Sequence, residues 1–317
     1  MGRGPLTARP AHGTTATLAG LPLETGPLRD EQLFSKGGYY AFLLDSNVLL
    51  HREAVVATRQ ALLGWVTRRP TAQTLTVLDL ACGGMPVTIC NALSGLAPRR
   101  FAYTGVDINA DQVTSARRFV YPTNVVEWQV IEGSAWDLPA AVLSQPFDVV
   151  YSGMNLHHAI EEELQYLAQQ LARVLAPGGV FISHDVYRPG DEPYLRRPAV
   201  NPLDANESFR LVEVPTLAGA GITERGGNDS KLEQRCAWRE DYLGRMRQTL
   251  LERGADPSGT DETVTHMRER DFPLSVAEFG AVFTRAGFHV EETELDSSEP
   301  LAPYVSVVSA VRTPREG

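Results

Sequence analysis

The residues Val77-Leu78-Asp79-Leu80-Ala81-Cys82-Gly83-Gly84 decide how this chain is read. They close a near-continuous apolar run, LTVLDLA over 75–81, that passes abruptly into small side chains. A strand apolar along its whole length is covered on both faces, as in a parallel sheet with helices on either side. Small residues after such a strand let the backbone approach a ligand closely, and the helix beyond them presents unpaired N–H groups. In open α/β sheets, ligands sit at the carboxyl ends of strands where the strand order reverses. The turn at 81–84 is predicted to lie in that crevice.

Further strands are expected at 101–108 (FAYTGVDI), 125–133 (VVEWQVIEG), 147–153 (FDVVYSG) and 179–185 (GVFISHD). Between them, Asn109 and Gln112 form an N-cap pair opening a helix near 110–119. Leu164, Leu167, Leu171, Val174 and Leu175 recur at helical spacing over 160–175, and Pro177-Gly178-Gly179 turns the chain back. The alternation stops from 186 to 272, which is read as a cap inserted after the fifth strand. Its expected elements are a strand at 209–214, a helix at 237–254 with Trp238, Tyr242, Met246 and Leu250 on one face, and a short helix at 259–270. That aromatic and Met stripe is more readily core than substrate box. Ser275 and Glu278 then form a capping box, with Leu274 and Phe279 as a hydrophobic staple. Strands at 288–295 and 304–311 come last, joined by a connector too short for a parallel crossover, so the final strand is expected to be antiparallel. The chain thus divides into a flexible leader (1–28), an N-terminal helical lid (29–70), an α/β domain (71–185 and 273–317) and the cap insert (186–272).

Composition narrows the function. The 317 residues are 43% apolar and 21% charged, so the chain is neither disordered nor fibrous. With 29 basic and 39 acidic side chains the net charge is −10, which argues against broad nucleic-acid binding. No run approaches 18 uncharged apolar residues, so no membrane span is expected. Cys82, Cys90 and Cys236 lack CxxC spacing and suit neither a disulfide framework nor a zinc site; a reducing cytoplasm fits. The insert carries Arg196, Arg197, Arg210, Arg225, Arg235, Arg239, Arg245 and Arg247. These could meet an anionic substrate, but surface ion pairs such as Asp241 with Arg245 are the favoured reading.

Asp107, at the end of the second strand, is placed to accept hydrogen bonds from both hydroxyls of a ribose. Ser134, Ala135 and Trp136, just past the third strand, offer polar and flat apolar side chains suited to an adenine edge and face. A nicotinamide fingerprint, G-x-G-x-x-G, would need glycine where Ala81 and Pro86 stand, and only Gly83 fits.

DLACGG, GVDIN, GSAWDLP, FDVVYSGMNLHH and LARVLAPGGVFISHD stand in this order at normal spacing. Together they resemble the motifs of the class I S-adenosylmethionine-dependent methyltransferases, especially the small-molecule branch. The resemblance covers 75–185 and, more weakly, 274–311. It implies a Rossmann-like seven-stranded, mostly parallel sheet with an antiparallel last strand and helices on both faces. It implies S-adenosylmethionine as methyl donor. Asp79 and the turn Ala81, Cys82 and Gly83 would hold its methionyl end, and Asp107 the ribose. Ile108, Ser134, Ala135 and Trp136 would surround the adenine, while Ser152 to Asn155 would flank the sulfonium. Lys36, Tyr39 and Tyr40 would belong to a lid over the cofactor. Two positions depart from the family pattern: Met85 replaces the last glycine of the first motif, and Ser134 replaces the adenine-binding carboxylate.

At the reactive end, methyl transfer needs alignment, water exclusion and, for some acceptors, proton removal, for which His is the usual neutral-pH base. His157 is expected to face the acceptor, with His158 as the lesser candidate. His184, beside Asp185 at the end of the fifth strand, is the second catalytic candidate. No HxxxH-type spacing joins His157, His158, His184, Asp185 and His266, so no metal is expected. His51 and His12 are expected at the surface. The expected activity is O-methylation of a small organic molecule in secondary metabolism, then N- or C-methylation. The alternative is a cofactor-binding protein without methyl transfer. The expected partner is the small-molecule substrate, with no nucleic acid or membrane; any self-assembly is expected to be a homodimer.

Overall fold

The computed structural model describes residues 39–70, 73–159, 161–189, 237–271, 273–295 and 297–313. The expected leader, Lys36, the strand at 209–214 and Arg196, Arg197, Arg210, Arg225 and Arg235 lie outside the described residues. Two helices come first, α1 (Tyr39–Ser46) and α2 (His51–Val66). The α/β part runs β1 (Leu75–Leu80), α3 (Val87–Ser94), β2 (Phe101–Asp107), α4 (Ala110–Ala116), β3 (Val125–Glu132), α5 (Ala140–Leu143), β4 (Phe147–Gly153), a 3-10 turn (Leu156–His158), α6 (Glu161–Val174) and β5 (Leu175–Val186). Then come α7 (Ala237–Glu252), α8 (Pro257–Arg270), α9 (Val276–Arg285), β6 (Phe288–Glu294) and β7 (Val305–Arg312).

The seven strands are ordered β3-β2-β1-β4-β5-β7-β6. β7 runs antiparallel to both of its neighbours, and the other pairings are parallel. Strand order reverses between β1 and β4, whose ends lie side by side with Asp79 opposite Tyr151 and Leu80 opposite Ser152. Successive residues of β1 serve opposite faces: Val77 packs with α1, α2, α3, α7 and α8, while Leu78 and Leu80 pack with α6 and α9. Trp238, Tyr242, Met246 and Leu250 are buried in the first of these layers, as their spacing implied.

The helix starts are the expected ones. Asn109 accepts from the N–H groups of Asp111 and Gln112. Ser275 and Glu278 make a reciprocal capping box. Two local expectations are corrected. The fifth strand begins at Leu175, before the Pro-Gly-Gly turn: Phe147 pairs with Leu175 and Val149 with Val180, so the intervening residues bulge from the ladder around Gly178 at φ +72°. His51 is buried, because α2 lies on α3 and its ring shares a 2.8 Å hydrogen bond with the Thr88 hydroxyl. No helix among the described residues is long and apolar enough to cross a membrane.

Candidate active site

One end of the candidate site is built by β1, β2 and the turn between β1 and α3. Ala81 and Gly83 both take left-handed backbone, at φ +53° and +60°. Such strain in a non-glycine residue is typical of functional turns. One Asp107 oxygen accepts the Gly83 N–H at 2.8 Å and the other accepts the Asn109 N–H at 2.9 Å. Burial raises the Asp107 carboxyl above its ordinary range, against the pull of those two N–H groups. Asp79 lies deeper and accepts the Tyr103 hydroxyl at 2.7 Å. Burial pushes it up to about 7, with Tyr103 opposing and Asp107 adding to the shift. Ile108 is 73% exposed, an isolated apolar side chain next to Asp107.

The other end is built by the chain after β4, the end of β5 and α8. Met154 is left-handed at φ +52°, and its N–H bonds the His184 carbonyl at 2.7 Å. Asp185, fully buried, organises the loop that leaves β4. One of its oxygens accepts the N–H groups of Asn155 and Leu156 at 3.1 and 2.6 Å. The other accepts the Val186 N–H and His157 Nδ1 at 2.7 and 2.5 Å. An ionised carboxylate only accepts, so His157 Nδ1 carries the proton and Nε2 is left to face elsewhere. That nitrogen lies 3.8 Å from an Asp271 oxygen, and His158 Nδ1 lies 3.3 Å from the same atom. Burial disfavours charge on His157, but Asp185 and Asp271 outweigh it and lift the ring to about 9. Burial likewise opposes charge on both carboxylates, yet the imidazole holds them below their usual range.

One cavity of about 220 Å³ joins the two ends. Its lining brings Ala81, Gly83, Asp107 and His157 together with His158, His266 and Asp271, across a wall that includes Leu43, Leu49, Met154, Met246 and Met267. Asp79 and Cys82 line a smaller adjoining recess with Met85 and His51. Ser152 is wholly buried, and the Ser134 hydroxyl accepts its own chain's Trp136 N–H at 3.1 Å. Ile108, Ser134, Ala135, Trp136, Ser152 and Asn155 lie outside the cavity's described lining. His184 does too. It faces the opposite side of β5 from Asp185, is completely buried, and its Nε2 donates to the Leu49 carbonyl at 3.2 Å. Burial lowers its pKa to about 4. Asp271 escaped the sequence reading: it ends α8 more than a hundred residues after His157, and no local pattern links the two. Of the insert arginines among the described residues, Arg245 pairs with Asp241 and Arg247 with Asp261 on the surface, while Arg239 donates to the Arg268 carbonyl.

Residues 77–179 match the family described as Methyltransferase domain. That stretch is similar to the methyltransferase domains. An uncharacterized methyltransferase of Synechocystis sp. is 33% identical over 115 residues, which is 36% of this chain and 49% of that protein. The chain thus spans about half the length of the curated relative it matches. An O-methyltransferase family protein from Burkholderia thailandensis superposes with a TM-score of 0.50 at 16% identity, covering 91% of this chain and 64% of that one. At that identity the likeness is one of fold. The residues present fit S-adenosylmethionine, the methyl donor that the sequence resemblance implies. Each Asp107 oxygen has a further lone pair beyond its backbone bond, available to a ribose hydroxyl. Exposed Ile108 offers a surface to a purine, and the left-handed turn at Ala81 and Gly83 keeps side chains off the approach.

Proposed function

We propose that the protein transfers the methyl group of S-adenosylmethionine to an oxygen of a small, largely apolar organic molecule, as an O-methyltransferase of secondary metabolism; nitrogen and carbon acceptors rank after oxygen. The observation that carries this reading is the single cavity running from Asp107 and Gly83 to His157 between apolar walls. The bound donor supplies a methyl group already activated on positive sulfur. The chain's own work is then to seat the donor, align the acceptor and keep water out. Asp107 and the turn at Ala81 and Gly83 seat the ribose and methionyl parts, with Asp79 behind them. Ile108, Ser134, Ala135 and Trp136 belong to the adenine side, and Ser152 and Asn155 support the loop below the sulfur. His157, fixed by Asp185, is the polar group that meets the acceptor. His184 serves the site indirectly, by holding the Leu49 backbone whose side chain lines the cavity. Leu43 of α1 and Met246 and Met267 of α7 and α8 make a lid and a cap that exclude water. The buried free thiols Cys82 and Cys90 suit a reducing cytoplasm.

Calorimetry with S-adenosylmethionine should show one site, and a methyl-release assay over hydroxylated aromatic and aliphatic acceptors should find turnover. His157→Ala should keep cofactor affinity and lower kcat by about a hundredfold, the scale of a misplaced reactant. Cofactor binding without transfer to any acceptor would overturn the reading in favour of a binding protein.

A further inference from the structure

We propose that His157, His158 and Asp271 form a binding site for one divalent transition-metal ion on the cavity wall. His157 Nε2 and His158 Nδ1 face the same Asp271 oxygen at 3.8 and 3.3 Å, and one ligand atom from each residue lies within 4.8 Å of the others. Ligand atoms held at about 2.1 Å from one ion stand roughly 3.0 to 3.5 Å apart, so about an ångström of side-chain movement closes the set. Two further observations point to a cation. Asp271 is more than nine-tenths buried, and among the described residues the oxygen facing the two rings meets those imidazoles at ion-pair distances rather than in well-aligned hydrogen bonds. His157 is also built as metal-binding imidazoles are: its other nitrogen is given to a carboxylate, Asp185, which three backbone N–H groups hold in turn.

Two imidazoles and one carboxylate suit zinc, iron(II), cobalt or manganese, whereas magnesium and calcium prefer oxygen ligands throughout. Three protein ligands leave a coordination position open, as catalytic sites do, and all three residues line the cavity. On the methyl-transfer reading, that open position takes an oxygen of the acceptor, so the substrate class narrows to molecules with a metal-binding hydroxyl, enol or carboxylate. The ion site itself does not rest on that reading. Sequence spacing hid the site because two ligands come after β4 and the third ends α8.

The test uses the full chain, stripped with a chelator and desalted. Zinc is titrated by calorimetry, and cobalt(II) by visible absorption. One equivalent of each should bind, with cobalt giving the visible bands of a low-coordinate site. His158→Ala and Asp271→Asn should each weaken binding at least about tenfold. His289→Ala, on the exposed edge strand β6, should change nothing. An unchanged circular dichroism spectrum and urea midpoint show that a variant is folded. His158, a third exposed, is the safer substitution and decides alone if Asp271→Asn misfolds. A missing cobalt spectrum, or equal zinc affinity in wild type and His158→Ala, would overturn the site. Zinc binding with no S-adenosylmethionine binding would uphold it and count against the donor reading alone.

Discussion

Asp107 is a structural group as well as the proposed ribose ligand. Its two oxygens tie the Gly83 and Asn109 backbones together, so the same carboxylate that would hold a ribose also sets the shape of the turn beside it. Asp107→Ala removes both functions and should weaken S-adenosylmethionine binding by a hundredfold or more, about 3 kcal/mol for a charged hydrogen-bonding group; calorimetry reads it directly. Unchanged affinity would discredit the ribose assignment. That Asp107 would meet the turn at Ala81 and Gly83 was legible because the two lie at the ends of consecutive strands that pair in parallel. The partner of His157 was not. The sequence sets His184 beside Asp185, but adjacent strand residues point to opposite faces, so the carboxylate meets His157 and leaves His184 in the core. Asp271 carries no local signature at all, since its role exists only once α8 is docked.

Among the elements, the clearest sequence signals were the helix starts. Ser275 accepts the Glu278 N–H at 3.2 Å and Glu278 reaches back to the Ser275 N–H at 3.1 Å. The same start is anchored to the sheet, for the Arg188 N–H bonds the Leu274 carbonyl and the Arg188 guanidinium meets Glu278 at 2.7 Å. Ser275→Ala should cost about 1 kcal/mol in urea unfolding, with little change in the slope against urea. A loss indistinguishable from zero would mean that the Arg188 contacts fix α9 without the cap. Element boundaries were less legible than starts. Pro177-Gly178-Gly179 reads locally as a turn, yet Leu175 pairs on the near side of it, because sheet pairing with β4 outweighs the local punctuation. His51 shows the same limit: its burial comes from α2 lying on α3, which the sequence of α2 cannot display.

Across the whole molecule, two buried histidines join the N-terminal helices to the sheet. His184 of β5 holds the Leu49 carbonyl, its ring meets the His51 ring at 5.3 Å, and His51 bonds Thr88 of α3. Burial keeps the folded-state pKa of His184 near 4, below its ordinary 6.5. The unfolded chain therefore takes up this proton first. The contribution of neutral His184 is present above about 6.5 and lost as pH falls toward 4, on the order of 3 kcal/mol in all. Asp79 acts with the opposite sign: its folded-state pKa is raised to about 7, so its contribution is present at low pH and lost as pH rises from about 4 to 7. The clean readout is thus the difference between wild type and His184→Asn, which should shrink as the solution is acidified from pH 7 to pH 4. A constant difference would refute the assigned burial. The mostly parallel sheet with its antiparallel last strand was legible because five strands and their crossovers share one repeated pattern and the last connector is short. The hollow was only half legible, since its far wall comes from α7 and α8. That division has an evolutionary corollary. The segment contributing Tyr242, Met246, His266 and Asp271 spans 237–271, apart from the stretch that seats the donor. Exchange or drift in that one stretch can reshape the far wall of the cavity while Asp107 and the turn at Ala81 and Gly83 stay as they are.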